Sequence, residues 1–357
     1  MIASCTDLLV CPRDHLPLLT RASELRCANG HRFPIVADVP ILLLKDVPPT
    51  LHVAAASLAA AEKGAECGEQ IFLDTLGISA EEKHELAKQL EQPTGKVDPV
   101  VAYLVGATNG IAYKHLVGKL NEYPIPEIPL PPGDGRRLLD VGCNWGRWCL
   151  AAARKGYEVW GIEPSLGAVL AARRVARQLG LKINVVVGDA RYLPFRPGTF
   201  DVTFSYSVLQ HFSRQDAAAA VEEMGRVLKT GGRCQVQMPN ILGVRCLYHQ
   251  WRRGFEEATE FDVRYWHLRT LRELFTSRVG PTTFAVDCFF GLGLQPADRR
   301  LMPLTHRAAI TVSELLRQCS KVFDLLTGLA DSLYVQAVKQ RKLASTPRRP
   351  RFDERRA

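Results

Sequence analysis

The chain has 357 residues, 46% apolar and 23% charged, a balance that excludes a disordered or coiled-coil polypeptide and allows about two domains. Lys and Arg exceed Asp and Glu by 46 to 37, which would suit a nucleic acid or an anionic surface only where the charge is clustered. Of the net +9, residues 339–357 carry +6 in a Pro- and Arg-rich tail that reads as disordered, so residues 1–338 give nucleic acid little support. Met1 to Pro12 has no secretory pattern, and no stretch approaches the roughly 20 apolar residues of a membrane span. The expectation is a soluble, cytoplasmic protein. Its ten cysteines, most of them inside apolar runs, are expected to be reduced.

Residues 1–48 are turn-rich, with two Cys-containing knuckles followed by short strands at 33–36 and 39–44. Residues 49–135 begin as a helical stretch broken at Gly77, Pro93 and Pro99 and end in a proline-rich connector from Tyr123 to Gly135. From residue 136 to 338 strands alternate with helices. Apolar runs at 137–141, 157–162, 183–187, 200–206 and 233–238 are separated by helical stretches, one capped by Ser165 and one opened by Ser213 and Asp216. That alternation implies a parallel sheet covered on both faces. An insertion at 240–277, rich in Arg, Tyr, Trp and His, is followed by an apolar helical run from Ile310 to Leu326 and a last strand at 333–338.

The segment Arg137 to Trp148, RLLDVGCNWGRW, reads as a buried strand, a glycine turn and a helix. Gly142 and Gly146 let the backbone turn sharply beside a ligand, and the helix aims free N–H groups at it. A dinucleotide-binding protein would use the same architecture, but Asn144 stands where its fingerprint needs glycine against a pyrophosphate. Glu163, about 20 residues on at the end of the second strand, is placed to accept both hydroxyls of a ribose. Asp189 and Ala190 after the third strand could hold an adenine edge. Taken singly these carboxylates have ordinary readings as a turn, a surface charge and an Asx turn. At the ends of successive strands they describe a nucleoside site.

Leu138 to Asn240 resembles the core of the class I S-adenosylmethionine-dependent methyltransferases of small-molecule type. Asp140 to Cys143, Gly188 to Ala190, Leu193-Pro-Phe195, Phe200 to Phe204, Val208 to Phe212 and Arg226 to Gly232 carry the resemblance in order. It implies a Rossmann-like, doubly wound, mostly parallel seven-stranded α/β sheet with S-adenosylmethionine as cofactor. Asp140, Gly142 and Gly146 would frame the methionine end, with Cys143 and Asn144 in the same turn. Glu163 and Pro164 would lie at the ribose, Asp189 and Ala190 at the adenine, and Tyr206 near the methyl group.

His211 would be the base for an oxygen or nitrogen acceptor, or would only pack against the cofactor or cap the next helix. Gln210 and the run Arg264, Tyr265, Trp266 would meet the substrate, with amphipathic lid packing the alternative for the run and above all for Trp266. No Asp/Asn-Pro-Pro-Tyr or Pro-Cys motif follows the fourth strand, which disfavours two nucleic-acid methylating classes. The expected substrate is a small molecule, a glycan or secondary-metabolite precursor methylated at oxygen. An RNA methyltransferase, a non-catalytic binding subunit and a dehydrogenase remain rivals. The knuckles resemble a zinc-ribbon-like module found with many methyltransferases, and Cys11, Asp14, Cys27 and His31 would bind zinc unless the module is a degenerate, metal-free one.

Overall fold

The computed structural model describes residues 6–21, 23–63, 70–91, 96–108, 110–259, 261–291 and 293–341. The basic tail beyond Arg341, the cysteines 5 and 67 and the predicted break at Pro93 lie outside them.

The chain opens with four short strands, β1 (Leu19–Arg21), β2 (Glu24–Arg26), β3 (Arg32–Val36) and β4 (Val39–Leu42). Ala37 and Asp38, both with positive φ, make the two-residue turn that joins β3 to β4. Four helices follow, α1 (His52–Lys63), α2 (Gln70–Asp74), α3 (Ala80–Glu91) and α4 (Pro99–Thr108). Pro99 opens α4 because the first helical position needs no backbone donor. The alternating part comprises β5 (Arg137–Val141), α5 (Arg147–Arg154), β6 (Glu158–Glu163), α6 (Leu166–Gln178), β7 (Asn184–Gly188), β8 (Phe200–Ser205), α7 (Arg214–Val227) and β9 (Leu228–Pro239). It continues through α8 (Val244–Arg252), α9 (Leu268–Arg278), β10 (Thr282–Cys288), α10 (Leu304–Cys319), α11 (Asp324–Leu329) and β11 (Ser332–Val338).

Strands β5 to β9 are parallel, in the order β7-β6-β5-β8-β9, and β11 and β10 follow as antiparallel partners. Six of these strands lie where the sequence places them, and β10 completes the seven that the resemblance implies. The sheet, however, has eleven, because β4 pairs in parallel with β7 through Ile41↔Val187 and Leu42↔Gly188 and brings β3, β2 and β1 with it. β7 would otherwise be an open apolar edge, and the amino-terminal hairpins cover it. The two parts also share a core: Leu9, Cys11, Leu25 and Phe33 are buried in one cluster with Trp160, Leu193 and Phe195. On the opposite face α1 to α6 form the second cluster.

Three details differ from the sequence reading. β9 starts five residues before the predicted Arg233, and β10 was not among the strands placed from the sequence. The helical run from Ile310 divides at Ser320 into α10 and α11, leaving Leu315, Val322 and Phe323 exposed.

The start of α6 is closed by hydroxyls from three places in the chain. Ser57 of α1 accepts the Leu166 N–H at 3.0 Å, Thr75 the Gly167 N–H at 2.7 Å and Ser165 the Ala168 N–H at 3.2 Å. Ser57 also donates to the Pro164 carbonyl at 2.7 Å, which pins the helical segment across the loop after β6.

Candidate active site

Strand β5 ends in a turn where Gly142, Asn144 and Gly146 all have positive φ, at 79°, 46° and 81°. A Cβ on Gly142 would lie 2.3 Å from Val208 Cγ2, so only glycine lets the loop after β8 approach. Asn144 tolerates the left-handed region, and its side chain accepts the Trp145 N–H at 2.8 Å. The departure from glycine at this position is therefore accommodated locally.

Two carboxylates stand beside that turn. Asp140 is 1% exposed and accepts the Cys149 thiol at 3.3 Å. Glu163 is 7% exposed; its Oε2 accepts the Asn144 N–H at 3.1 Å and its Oε1 the Ser165 N–H at 3.2 Å. Burial lifts both to about 7, against which the two N–H groups at Glu163 and the Cys149 thiol at Asp140 pull down, while the Glu163 charge raises Asp140 further. A pair of buried carboxyls at the ends of adjacent strands needs polar hydrogens from a ligand to hold its charge.

Asp189, at the end of β7, is already engaged. Arg191 meets it with its backbone N–H at 2.8 Å, Nε at 3.1 Å and Nη2 at 2.7 Å, and reaches on to Asp216 and the Pro48 carbonyl. A shallow pocket opens at this edge between Leu43, Val47, Ala54, Leu58, Asp189 and Tyr192. Ala190 is buried beside it.

Tyr206 follows β8 directly, with its ring 4.5 Å from that of Trp148. Its hydroxyl donates to Asp287 Oδ2 at 2.8 Å and accepts from Gln295 Nε2 at 2.8 Å. Asp287 also takes the Ser332 hydroxyl at 2.7 Å, Ser332 accepts from Gln237, and Gln237 holds the Ser207 N–H. None of these partners was singled out from the sequence; only the β-branched run at 282–286 of β10 could have pointed to this edge. A second buried network joins Arg147, at the start of α5, to Asp298 and Tyr113.

His211 lies under the insertion. Its Nδ1 donates to the Phe261 carbonyl at 2.7 Å, its ring stacks on Phe261 at 3.9 Å, and Nε2 faces the Gln210 amide at 3.2 Å. Burial lowers its pKa to about 4, partly offset by the Phe261 carbonyl, so the imidazole is neutral with its lone pair on Nε2. Gln210 is 2% exposed and its Oε1 has no hydrogen-bond partner. The aromatic run departs from its expected placement. Arg264 gives its guanidinium to the carbonyls of Ala258, Asp262 and His211, and Trp266 is buried beneath Arg214, with Tyr265 beside Arg253. These three side chains fasten the insertion down, which is the packing alternative.

The knuckles converge. Cys11 and Cys27 Sγ lie 3.4 and 3.3 Å from His31 Nδ1, Asp14 Oδ2 is 3.1 Å from the same nitrogen, and all four ligand atoms are within 4.8 Å of one another. Asp14 spends Oδ1 on the Leu16 N–H of its own turn, which leaves Oδ2 facing the cluster.

Residues 138–232 match the family model described as a methyltransferase domain. This segment is therefore similar to methyltransferase domains. Norajmaline N-methyltransferase of Rauvolfia serpentina is 35% identical over 104 residues, covering 28% of this chain and 35% of that protein. A ubiquinone biosynthesis O-methyltransferase of Brucella anthropi is 31% identical over 150 residues, 41% of this chain and 57% of that one. The chain spans from about a third to just over half of the length of the curated relatives it matches first. Among solved structures, a SAM-dependent methyltransferase from Methanosarcina mazei aligns with 62% of this chain and 99% of its own at 22% identity and a TM-score of 0.44. The matched methyltransferase segment holds Asp140, Glu163, Asp189, Tyr206 and His211 and stops before the insertion and β10. No helix among the described residues is long and apolar enough to cross a membrane.

Proposed function

We propose that the protein transfers a methyl group from S-adenosylmethionine to an oxygen of a small molecule. The observation that carries this reading is Glu163. It is a buried carboxylate with both oxygens fixed by backbone N–H groups, beside a turn whose Asn144 disfavours a pyrophosphate. Bound S-adenosylmethionine supplies a methyl group on a positively charged sulfur. Glu163 accepts the two ribose hydroxyls through its remaining lone pairs, and the N–H groups of the turn and of α5 hold the methionine end. Asp189 and Ala190 border the adenine. Tyr206 and Trp148 wall the region at the end of β8 and keep water from it.

On the acceptor side, the orphaned Oε1 of Gln210 receives a hydrogen from the substrate, and Nε2 of neutral His211, once the attacking hydroxyl replaces the Gln210 amide at its lone pair, takes the proton that the hydroxyl gives up. The N- and O-methyltransferases among the relatives support a small acceptor. Cys11, Asp14, Cys27 and His31 hold one zinc ion. Their separations of 3.1 to 3.4 Å about His31 Nδ1 match the edges, about 3.3 to 3.8 Å, of a tetrahedron with bonds of about 2.0 to 2.3 Å.

The test of the function is calorimetric titration with S-adenosylhomocysteine and with NAD, followed by incubation of methyl-labelled cofactor with cell extract. The reading requires binding of the first nucleoside only, lost in Glu163→Ala, and label in the metabolite fraction. Label confined to RNA would overturn the small-molecule acceptor, and binding without any label would overturn the enzyme.

A further inference from the structure

Helix α8 is turned inside out. Val244, Leu247, Tyr248 and Trp251, spaced i, i+3, i+4 and i+7, form one apolar stripe, yet they are 55%, 40%, 49% and 67% exposed. The face turned inward is polar or small: Cys246 sits on the Asp331 backbone, and Gln250 donates to the Ile241 carbonyl at 2.9 Å. The helix is nonetheless firmly seated, because Asp331 Oδ1 caps the Arg245 N–H at 2.6 Å and Arg253 anchors to the Val263 carbonyl. Residues 244–253 contain three arginines and no acidic residue, and Arg245 and Arg252 form no ion pair with any described residue.

The apolar surface continues beyond the helix. Leu242 precedes it, Phe255 follows it, and the exposed Leu325 and Leu329 of α11 lie next to its start, where Asn240 Nδ2 donates to the carbonyls of Gly328 at 2.7 Å and Ala330 at 3.0 Å.

We propose that α8 docks this protein in the interface of an anionic lipid bilayer. Leucine, valine and tryptophan on one stripe with two arginines, Arg245 and Arg252, along one flank are the pattern of a helix lying in the plane of a membrane, where the apolar side chains enter the acyl boundary and the guanidinium groups meet phosphates. A second copy of this chain fits less well. A two-fold contact through this face would set the unpaired arginines of one α8 against those of the other.

The test uses the full-length chain and sedimentation with vesicles of phosphatidylcholine, with and without phosphatidylglycerol. Four of the five tryptophans, at 145, 148, 160 and 266, are buried, so the emission responds to Trp251. The proposal requires sedimentation with the anionic vesicles, weakened by salt, and a blue-shifted emission. It also requires a loss of roughly tenfold or more in partitioning for Leu247→Ser/Trp251→Ser, with melting temperature and S-adenosylhomocysteine affinity unchanged. Val244→Ser/Tyr248→Ser, on the same stripe, replaces that pair should it fail to fold. Arg245→Gln/Arg252→Gln removes the preference for anionic lipid while leaving weak binding to both. Absence of sedimentation with either vesicle overturns the proposal. So does a dimer in analytical ultracentrifugation that the stripe variants dissolve, which would make α8 a self-association surface.

Discussion

Arg191 clamps Asp189 from the side, with Nε at 3.1 Å from one carboxylate oxygen and Nη2 at 2.7 Å from the other. The same guanidinium holds the Pro48 carbonyl, so the chain leaving β4 and the carboxylate proposed to border the adenine are fixed by one side chain. Arg191→Met frees the carboxylate to rotate. It should weaken S-adenosylhomocysteine binding about tenfold, near 1.4 kcal/mol, in calorimetry, with little change in kcat at saturating cofactor.

In the proposed role Glu163 would accept ribose hydroxyls only as a carboxylate, and in the free protein burial sets its pKa at about 7. Cofactor affinity should therefore climb as pH rises through 7 and level off above it, with up to about a tenfold loss per unit below. Glu163→Gln should bind weakly and without that slope. The sign for stability is the reverse. Asp140 and Glu163 are raised from 3.8 and 4.5 to about 7, so both bind protons more tightly folded than unfolded, and their ionisation between those values destabilises the ligand-free fold. Asp140→Asn should flatten part of that decline in melting temperature.

His211 is neutral above about 4. Its contribution to the rate should leave no inflection near the ordinary histidine value, and kcat should be flat on that account between about pH 5 and 8. His211→Asn should lower kcat roughly a hundredfold while cofactor affinity holds. A decrease below about threefold would assign the ring to packing on Phe261 alone.

Plasma emission spectrometry of the purified chain should find about one zinc per molecule. Chelation, or Cys11→Ser, should lower the melting temperature by several degrees. The loss reaches the methyltransferase sheet because β4 is bonded to β7 and Leu9 and Phe33 belong to the core of Trp160 and Phe195.

Removing residues 345–357 should leave cofactor affinity and turnover intact. β11 runs antiparallel to β9, so Val338 pairs with Arg233, far from the strand ends that carry Asp140, Glu163 and Asp189.

The parallel strands were legible because each is buried on both faces, so β5 and β8 read as continuous apolar runs with boundaries correct to a residue or so. β10 was not, since as an edge strand it is half exposed and carries Asp287 within it. The three-residue strands β1 and β2 are too short to show a period. At the site, Glu163 and the glycine turn were visible as local pattern. Arg191 was hidden, because what gives it meaning is Asp216 and Pro48, far away in sequence. Arg264 misled for the same reason: an arginine beside aromatic rings suits a ligand, but the carbonyls that take its donors become neighbours only on folding.

The three hydroxyls that close the start of α6 also act as a gatekeeper. Glu163 lies beside this helix end, its Oε1 accepting the Ser165 N–H at 3.2 Å, and at such a place enzymes that use NADP offer free N–H groups or an arginine to a 2′-phosphate. Here Ser57, Thr75 and Ser165 already occupy those N–H groups, and a carboxylate faces the same space. On the proposed reading, the helical segment that precedes the methyltransferase core would screen out phosphorylated coenzymes and leave an unmodified ribose as the sugar the site admits.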